Sequence, residues 1–150
     1  MFPKKAGDEL LTGEFQHNID AKGRMIMPAK FRDELGEKFV VTKGLDKCLF
    51  IFSLSEWSKL DKQLSELSLS KGREIQRFFY GGMTECEPDK QGRVLIPSNL
   101  RDYAELEKDV IVIGLNRRAE IWSKANWDAQ NAKFIQNTDE VALHMEDLGI

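Results

Sequence analysis

Asp20-Ala-Lys-Gly-Arg-Met-Ile-Met-Pro-Ala-Lys-Phe-Arg-Asp33 returns as Asp89-Lys-Gln-Gly-Arg-Val-Leu-Ile-Pro-Ser-Asn-Leu-Arg-Asp102. Asp, Gly, Arg, Pro, Arg and Asp recur at matching places, with apolar residues between them. The echo continues downstream. Val40-Val41-Thr42-Lys43-Gly44 answers Val112-Ile113-Gly114, Phe50–Ser53 answers Glu120–Ser123, and Trp57 answers Trp127. The offset is 69 residues at the start (20 to 89) and 70 at the end (57 to 127), so one residue was gained between. A unit of this length is a duplicated half-domain, because solenoid units are shorter. Two copies of one surface feature imply a repeated or two-fold partner, which an enzyme site seldom needs.

Outward from the motif, each half reads as strand, turn, strand and helix. Phe15, His17 and Ile19 alternate with Glu14, Gln16 and Asn18, the period of a half-buried strand starting near Gly13. Asp20 to Gly23 suits a type I turn, with Asp first and Gly fourth. Arg24–Met27 returns as the second strand of a hairpin. Pro28 fits the first helical position, where its missing N–H costs nothing, and the helix passes Phe31 and Leu35 to stop at Gly36. Phe39–Thr42 and Cys48–Phe52 are apolar strands around a turn. Ser53-Leu-Ser-Glu56 reads as a capping box for a helix with Trp57, Leu60, Leu64 and Leu67 on one face. After a polar stretch at 68–73, Glu74–Tyr80 reads as a helix ended by Gly81-Gly82.

The second half repeats the plan. Met83–Glu87 and Arg93–Ile96 are strands around Asp89-Lys-Gln-Gly92, and Pro97 opens a helix through Leu100 and Tyr103. Val110–Ile113 and Ala119–Trp122 are strands, Ser123 caps a helix with Trp127, and a last short helix starts at Thr138. Arg24-Met-Ile-Met-Pro and Arg93-Val-Leu-Ile-Pro are nearly continuous apolar runs, as in strands buried on both faces. Two copies packed face to face would supply that burial. The expected fold is α+β: duplicated β-hairpin/helix units forming a small shared β-barrel, closed or interlocked, surrounded by short helices.

Composition narrows the function. The 150 residues are 41% hydrophobic and 31% charged, one ordinary domain or two small ones sharing a core. Cys48 and Cys86 stand far apart, in no disulfide or zinc pattern, and read as reduced, half-buried strand residues of a cytoplasmic protein. The first ten residues show no apolar run, and neither a signal peptide nor a membrane span is expected. The formal net charge is −3 and the sequence pI about 5.5. A monomeric nonspecific DNA coater would be basic, so nucleic acid binding requires basic side chains gathered on one face.

The functional candidate is Asp-x-x-Gly-Arg, at Asp20/Gly23/Arg24 and Asp89/Gly92/Arg93. Asp and Gly are accounted for by turn chemistry. Arg opens an apolar strand in both copies, where any polar residue would serve solubility. Two readings stand. An ion pair from Arg24 to Asp20 would fix the hairpin. Alternatively, guanidinium is a fixed fork that matches a phosphate or the O6/N7 edge of guanine, and a two-stranded ribbon fits the major groove. The readings are compatible, since an ion pair would orient the fork. Lys22 and Lys90 lie at the turn tips, near a DNA backbone. Lys30, Arg32 and Arg101 sit on the following helices beside Asp33, Glu34 and Asp102, where a solvated salt-bridged face is the favoured reading and an extended footprint the other.

These residues carry a resemblance. Gly13-Glu-Phe-x-His-x-Ile-Asp-x-Lys-Gly-Arg, Pro28-x-x-Phe-Arg, the second Asp-x-x-Gly-Arg-x-x-Ile-Pro and the Glu120-Ile-Trp…Trp127 ending make the chain similar to the MraZ family of bacterial transcriptional regulators. The match spans Gly13 to about Trp127. It implies two AbrB-like (SpoVT-AbrB) units, at 14–56 and 85–128, with an N-terminal extension (1–12), a helical connector (57–84) and a C-terminal helical tail (129–150). The family's Asp-x-x-x-Arg motif, associated with DNA contact, falls on Asp20–Arg24 and Asp89–Arg93. The resemblance also implies a cytoplasmic, nucleoid-associated repressor at the head of the division and cell wall gene cluster. Ring-shaped homo-oligomers reading short G-rich direct repeats in double-stranded DNA are implied as well. Met1–Leu11 depart from the pattern, since family chains start close to the Gly-Glu-aromatic strand.

Other classes fit less well. AbrB-like folds also serve as antitoxins or protein-interaction modules, which hold a partner through a disordered tail; Thr138–Ile150 reads as helical and short. His17, His144 and the carboxylates form no catalytic arrangement, and His17 reads as a packed or edge histidine. No Gly-rich phosphate loop, haem motif or EF-hand is present, so no cofactor, metal or small-molecule substrate is expected. Trp57, Trp122, Trp127, Phe78 and Phe79 fit core packing better than base-stacking platforms.

Overall fold

The computed structural model describes residues 10–150. The expected N-terminal extension falls mostly on residues 1–9, outside the described residues. The first half contains β1 (Leu11–Asn18), β2 (Arg24–Ile26), α1 (Ala29–Leu35), β3 (Phe39–Lys43), β4 (Leu49–Ser53), α2 (Leu54–Ser65) and α3 (Leu69–Gly82). The second contains β5 (Thr84–Cys86), β6 (Arg93–Leu95), α4 (Ser98–Tyr103), β7 (Asp109–Asn116), β8 (Ala119–Ser123), α5 (Lys124–Gln136) and α6 (Thr138–Asp147). Every element of one half has its counterpart in the other. β1 starts two residues before Gly13 because Leu11 is fully buried in the main core.

The strands form two antiparallel sheets. The larger has the order β1-β7-β8-β4-β3-β5, and β2 and β6 make a separate two-stranded ribbon. With the halves exchanged, the six-strand order reads the same from either end. The first strand of each half has left its own unit: β1 pairs with β7 and β5 with β3. The halves are therefore interlocked through exchanged strands, in a six-stranded sheet and a separate ribbon.

Packing differs from expectation at the hairpins. The segments buried on both faces are β3, β4 and β8 with the start of β7, whose apolar runs contact a helical layer outside and the core inside. On the inner side lie Phe39, Val41, Leu49, Ile51 and Ile121, closed over by Met25, Met27, Phe31, Val94, Ile96 and Leu100. On the outer side Val40, Trp57 and Leu64 form one cluster, and Cys48, Phe50, Ile111 and Trp122 another. The Arg24-Met-Ile-Met and Arg93-Val-Leu-Ile runs alternate instead: Met25, Met27, Val94 and Ile96 are buried, while Ile26 and Leu95 are exposed. The two copies meet edge to edge by hydrogen bonding, not face to face.

Local signals explain the helix starts. Ser53, Ser68 and Ser123 each cap a helix by accepting from a backbone N–H three residues on, at 3.1, 3.3 and 3.0 Å. Pro28 and Pro97 stand one position earlier than expected, at the N-caps; the Pro28 carbonyl accepts from Phe31 and Arg32, and the Pro97 carbonyl from Leu100 and Arg101. α3 starts at Leu69, five residues before Glu74, and continues through Gly81 and Gly82. Gly82 stays helical where the helix crosses β3: a Cβ there would lie 2.9 Å from the Lys43 side chain. Cys48 and Cys86 are free thiols and both buried, more so than expected. Burial pushes both thiols up, Cys86 to about 11.

Candidate nucleic-acid interface

The two turns are built alike. Asp20 Oδ1 accepts from the backbone N–H of Lys22 and of Arg24, both at 2.9 Å, and Asp20 Oδ2 accepts from Arg24 Nε at 3.0 Å. Asp89 Oδ1 accepts from Gln91 and Arg93 N–H at 2.9 Å each, and Oδ2 from Arg93 Nε at 2.8 Å. Gly23 and Gly92 close the turns by donating to the Asp carbonyls, with φ of 84° and 79°. A side chain is disfavoured at such φ, which explains glycine at both places. Donation from the Arg24 and Arg93 backbone N–H, followed by the other backbone and guanidinium contacts, holds the Asp20 and Asp89 carboxyls below the usual carboxylate range despite some desolvation. Each Asp thus stays charged and orients its arginine. The ion-pair reading is correct in both copies. It occupies Nε and leaves the Nη ends without a protein hydrogen bond among the described residues.

The ribbon brings the two motifs together. In register, Arg24 faces Leu95, Met25 faces Val94, and Ile26 faces Arg93. Cross-strand neighbours share a face. Met25 and Val94 point into the core, each 1% exposed. The other face holds Arg24 and Arg93, with side chains 29% and 32% exposed, and Ile26 and Leu95, 47% and 57% exposed. The ribbon is extended at both ends, because Met27 N–H donates to the Gly92 carbonyl at 3.0 Å and Ile96 N–H to the Gly23 carbonyl at 2.9 Å. Each turn is therefore held by the other half.

Lys22 and Lys90 are exposed at the turn tips. The three helix cations depart from a solvated ion-pair face. Lys30 Nζ donates to Thr12 Oγ1 at 2.9 Å. Arg101 Nε donates to the Ile96 carbonyl at 2.9 Å, and its guanidinium lies over Gly23, where a Cβ would come within 2.8 Å of Cζ. Arg32 lies over Gly92, 2.5 Å from such a Cβ, but its buried Nε has no hydrogen-bond partner among the described residues. The arginine of each half's helix thus braces the turn of the other half. Sequence reasoning missed this bracing, and it missed Ile26 and Leu95 as parts of the exposed face. The signal for the latter was present: Ile26 stands two residues after Arg24, and Leu95 two after Arg93.

The remaining candidates fall outside this face. His17 lies half-exposed on edge strand β1, and burial lowers its pKa. Trp57 and Trp122 are buried, with Trp127 and Phe79 packed beside them and Phe78 edge-on to Phe79 and Tyr103. Among the described residues, no three His, Cys, Asp or Glu side chains are grouped to hold a metal ion, and no helix is long and apolar enough to cross a membrane.

Fold and site define a duplicated α+β module, with one arginine turn from each half on a single outward ribbon. A family model described as "MraZ protein, putative antitoxin-like" matches residues 10–77 and again 79–145, an offset equal to that of the repeated motif. The transcriptional regulator MraZ of Halothermothrix orenii is 54% identical over 143 residues, covering 94% of this chain and all of the relative. The same regulator of a Thermoanaerobacter species is also 54% identical over 143 residues, and that of Desulforamulus reducens 50% over 141, covering 93% of this chain and 99% of the relative. The chain belongs to the MraZ family, a family of transcriptional regulators and not of enzymes.

Proposed function

We propose that this chain regulates transcription by inserting the β2–β6 ribbon into the major groove of promoter DNA, with Arg24 and Arg93 reading guanines. The observation that carries the reading is the paired turn: two guanidinium groups on one face of the ribbon are fixed through Nε by their own aspartates, and their Nη ends make no protein hydrogen bond among the described residues. A bidentate arginine matches guanine O6/N7 and supplies about 1–3 kcal/mol of discrimination. Lys22 and Lys90 at the tips are suited to the flanking phosphates.

The finer reading follows from the family. Residues 14–56 and 85–128 are two AbrB-like units on a shared barrel, with 57–84 as connector and 129–150 as tail. Several copies assemble into a ring that engages short G-rich direct repeats upstream of the division and cell wall gene cluster and represses it, in the cytoplasm at the nucleoid. Assembly answers the acidic net charge, since a ring gathers one arginine face from every subunit. Linked weak sites gain about 10²–10⁴ in avidity where geometry lets them bind together.

The test is a binding titration on DNA upstream of the chain's own gene. Arg24→Ala should lose specific binding while the circular dichroism spectrum and sedimentation stay unchanged; unchanged affinity would remove Arg24 from the reading surface. Footprints at two salt concentrations should weaken with salt, in proportion to the phosphates neutralised, and protect evenly spaced blocks. The interaction-module reading retains one observation: Leu143 and Met145 on α6, and Leu148 and Ile150 after it, are exposed. A small toxic partner co-purifying through residues 138–150 would favour it.

A further inference from the structure

We propose that Ile26 and Leu95 read thymine, by packing against the C5-methyl groups of bases next to the guanines taken by Arg24 and Arg93. This inference rests on the DNA reading above. Four side chains make the exposed ribbon face, and the register pairs each aliphatic directly across from an arginine: Leu95 with Arg24, Ile26 with Arg93. Such neighbours stand about 5 Å apart, close enough to address adjacent base pairs. The arginines are not free to fold over the aliphatics, because Asp20 and Asp89 hold them through Nε at 3.0 and 2.8 Å. Ile26 and Leu95 therefore stay open to solvent at 47% and 57%, while their neighbours Met25, Met27, Val94 and Ile96 are sealed in the core. The ribbon beneath them is hydrogen-bonded at both ends, and solubility alone would favour polar residues at both places.

Charge complementarity selects DNA as the occupant. An apolar protein surface laid on this face would have to desolvate two guanidinium ends as well as two aliphatic side chains. The major groove meets both demands in neighbouring steps, with the O6 and N7 acceptors of guanine and the methyl of thymine. Methyl contact extends recognition beyond guanine and distinguishes thymine from cytosine, which has no C5-methyl group.

The decisive experiment removes the methyl from the DNA and leaves the protein intact. Promoter duplexes are prepared with deoxyuridine in place of thymidine at one position at a time and titrated with the full chain. Wild type should lose about fourfold in affinity per engaged methyl, the value of one buried carbon, at thymines adjoining guanines within each repeat. The Ile26→Ser/Leu95→Ser variant should bind the natural duplex more weakly and show no further loss on the deoxyuridine duplexes. Wild-type binding that depends on Arg24 yet ignores every deoxyuridine overturns this inference alone. So does a variant that keeps the full deoxyuridine penalty. So does a variant whose sedimentation coefficient falls while the methyl substitutions have no effect, because the face then joins copies of the chain. Wild type that binds no promoter duplex overturns the DNA reading itself.

Discussion

The two turns match bond for bond, whereas the two helix pairs that follow them in the chain do not. α2 and α3 are fastened to each other and to the sheet. Thr42 Oγ1 donates to the Phe79 carbonyl at 2.8 Å, Gln76 Nε2 to the Leu64 carbonyl at 2.8 Å, and Tyr80 OH bonds Asp61. α5 and α6 bury no residue, and Leu143 and Leu148 stand 61% and 75% exposed. The difference has a mechanical source. α3 delivers the chain into β5 at the sheet edge, so both its ends are fixed, and its Phe79 packs against both outer clusters of the sheet. Duplication left the helices free to diverge, while the Asp-x-x-Gly-Arg turn kept its geometry twice. What stayed alike points to what both halves do.

The core offers the strongest way to break this comparison. Phe31 on α1 and Leu100 on α4 are equivalent, and both are fully buried. Phe31→Ala should cost about 3–5 kcal/mol and Leu100→Ala about 2–5 kcal/mol, each in a single urea transition. Two transitions in either variant would mean that the halves unfold separately. Next come the arginines: Arg24→Ala and Arg93→Ala should each remove about 1–3 kcal/mol of promoter affinity per contact. Equal losses in a fluorescence titration make the ribbon a symmetric reader, and a one-sided loss assigns reading to one turn.

Smaller effects test the helices. Thr42→Val removes the bond to α3 and should cost about 1 kcal/mol. Deleting residues 138–150 should change thermal stability by less than about 0.5 kcal/mol, and a larger drop would show that α6 is docked after all. The smallest effect is at the aspartates. Carboxyl carbon titrations of Asp20 and Asp89 should both give midpoints below 3.8. Because the native value is the depressed one, their contribution to stability is complete above pH 3.8 and disappears as pH falls through the native midpoint. Asp20→Asn should flatten that part of the acid-stability curve.

Much of this was legible because the repeat displays each local signal twice. Asp and Gly three apart announced the turns, alternation from Glu14 to Ile19 announced β1, and Ser53 and Ser123 announced helix starts. Pairing was harder to read. Nothing local in Phe15 or Cys86 says that β1 joins β7 and β5 joins β3, since register across a long loop depends on which faces the rest of the core leaves open. The apolar run from Met25 to Met27 suggested burial on both sides, because Ile26 is as hydrophobic as its neighbours; only the register shows that it shares a face with arginines. Arg32 and Arg101 looked like surface charges beside Asp33 and Asp102. Their position over the opposite glycine depends on the exchange of halves, which composition does not encode.

The crossing of β1 and β5 into each other's units makes the duplication a permanent pairing. Two separate half-length molecules would have to find one another in solution to trade their first strands. Here the linker through α2 and α3 keeps them at an effective concentration on the order of millimolar, so the exchange does not depend on how much protein the cell makes. Dilution can dissociate a larger assembly, but it cannot separate Arg24 from Arg93.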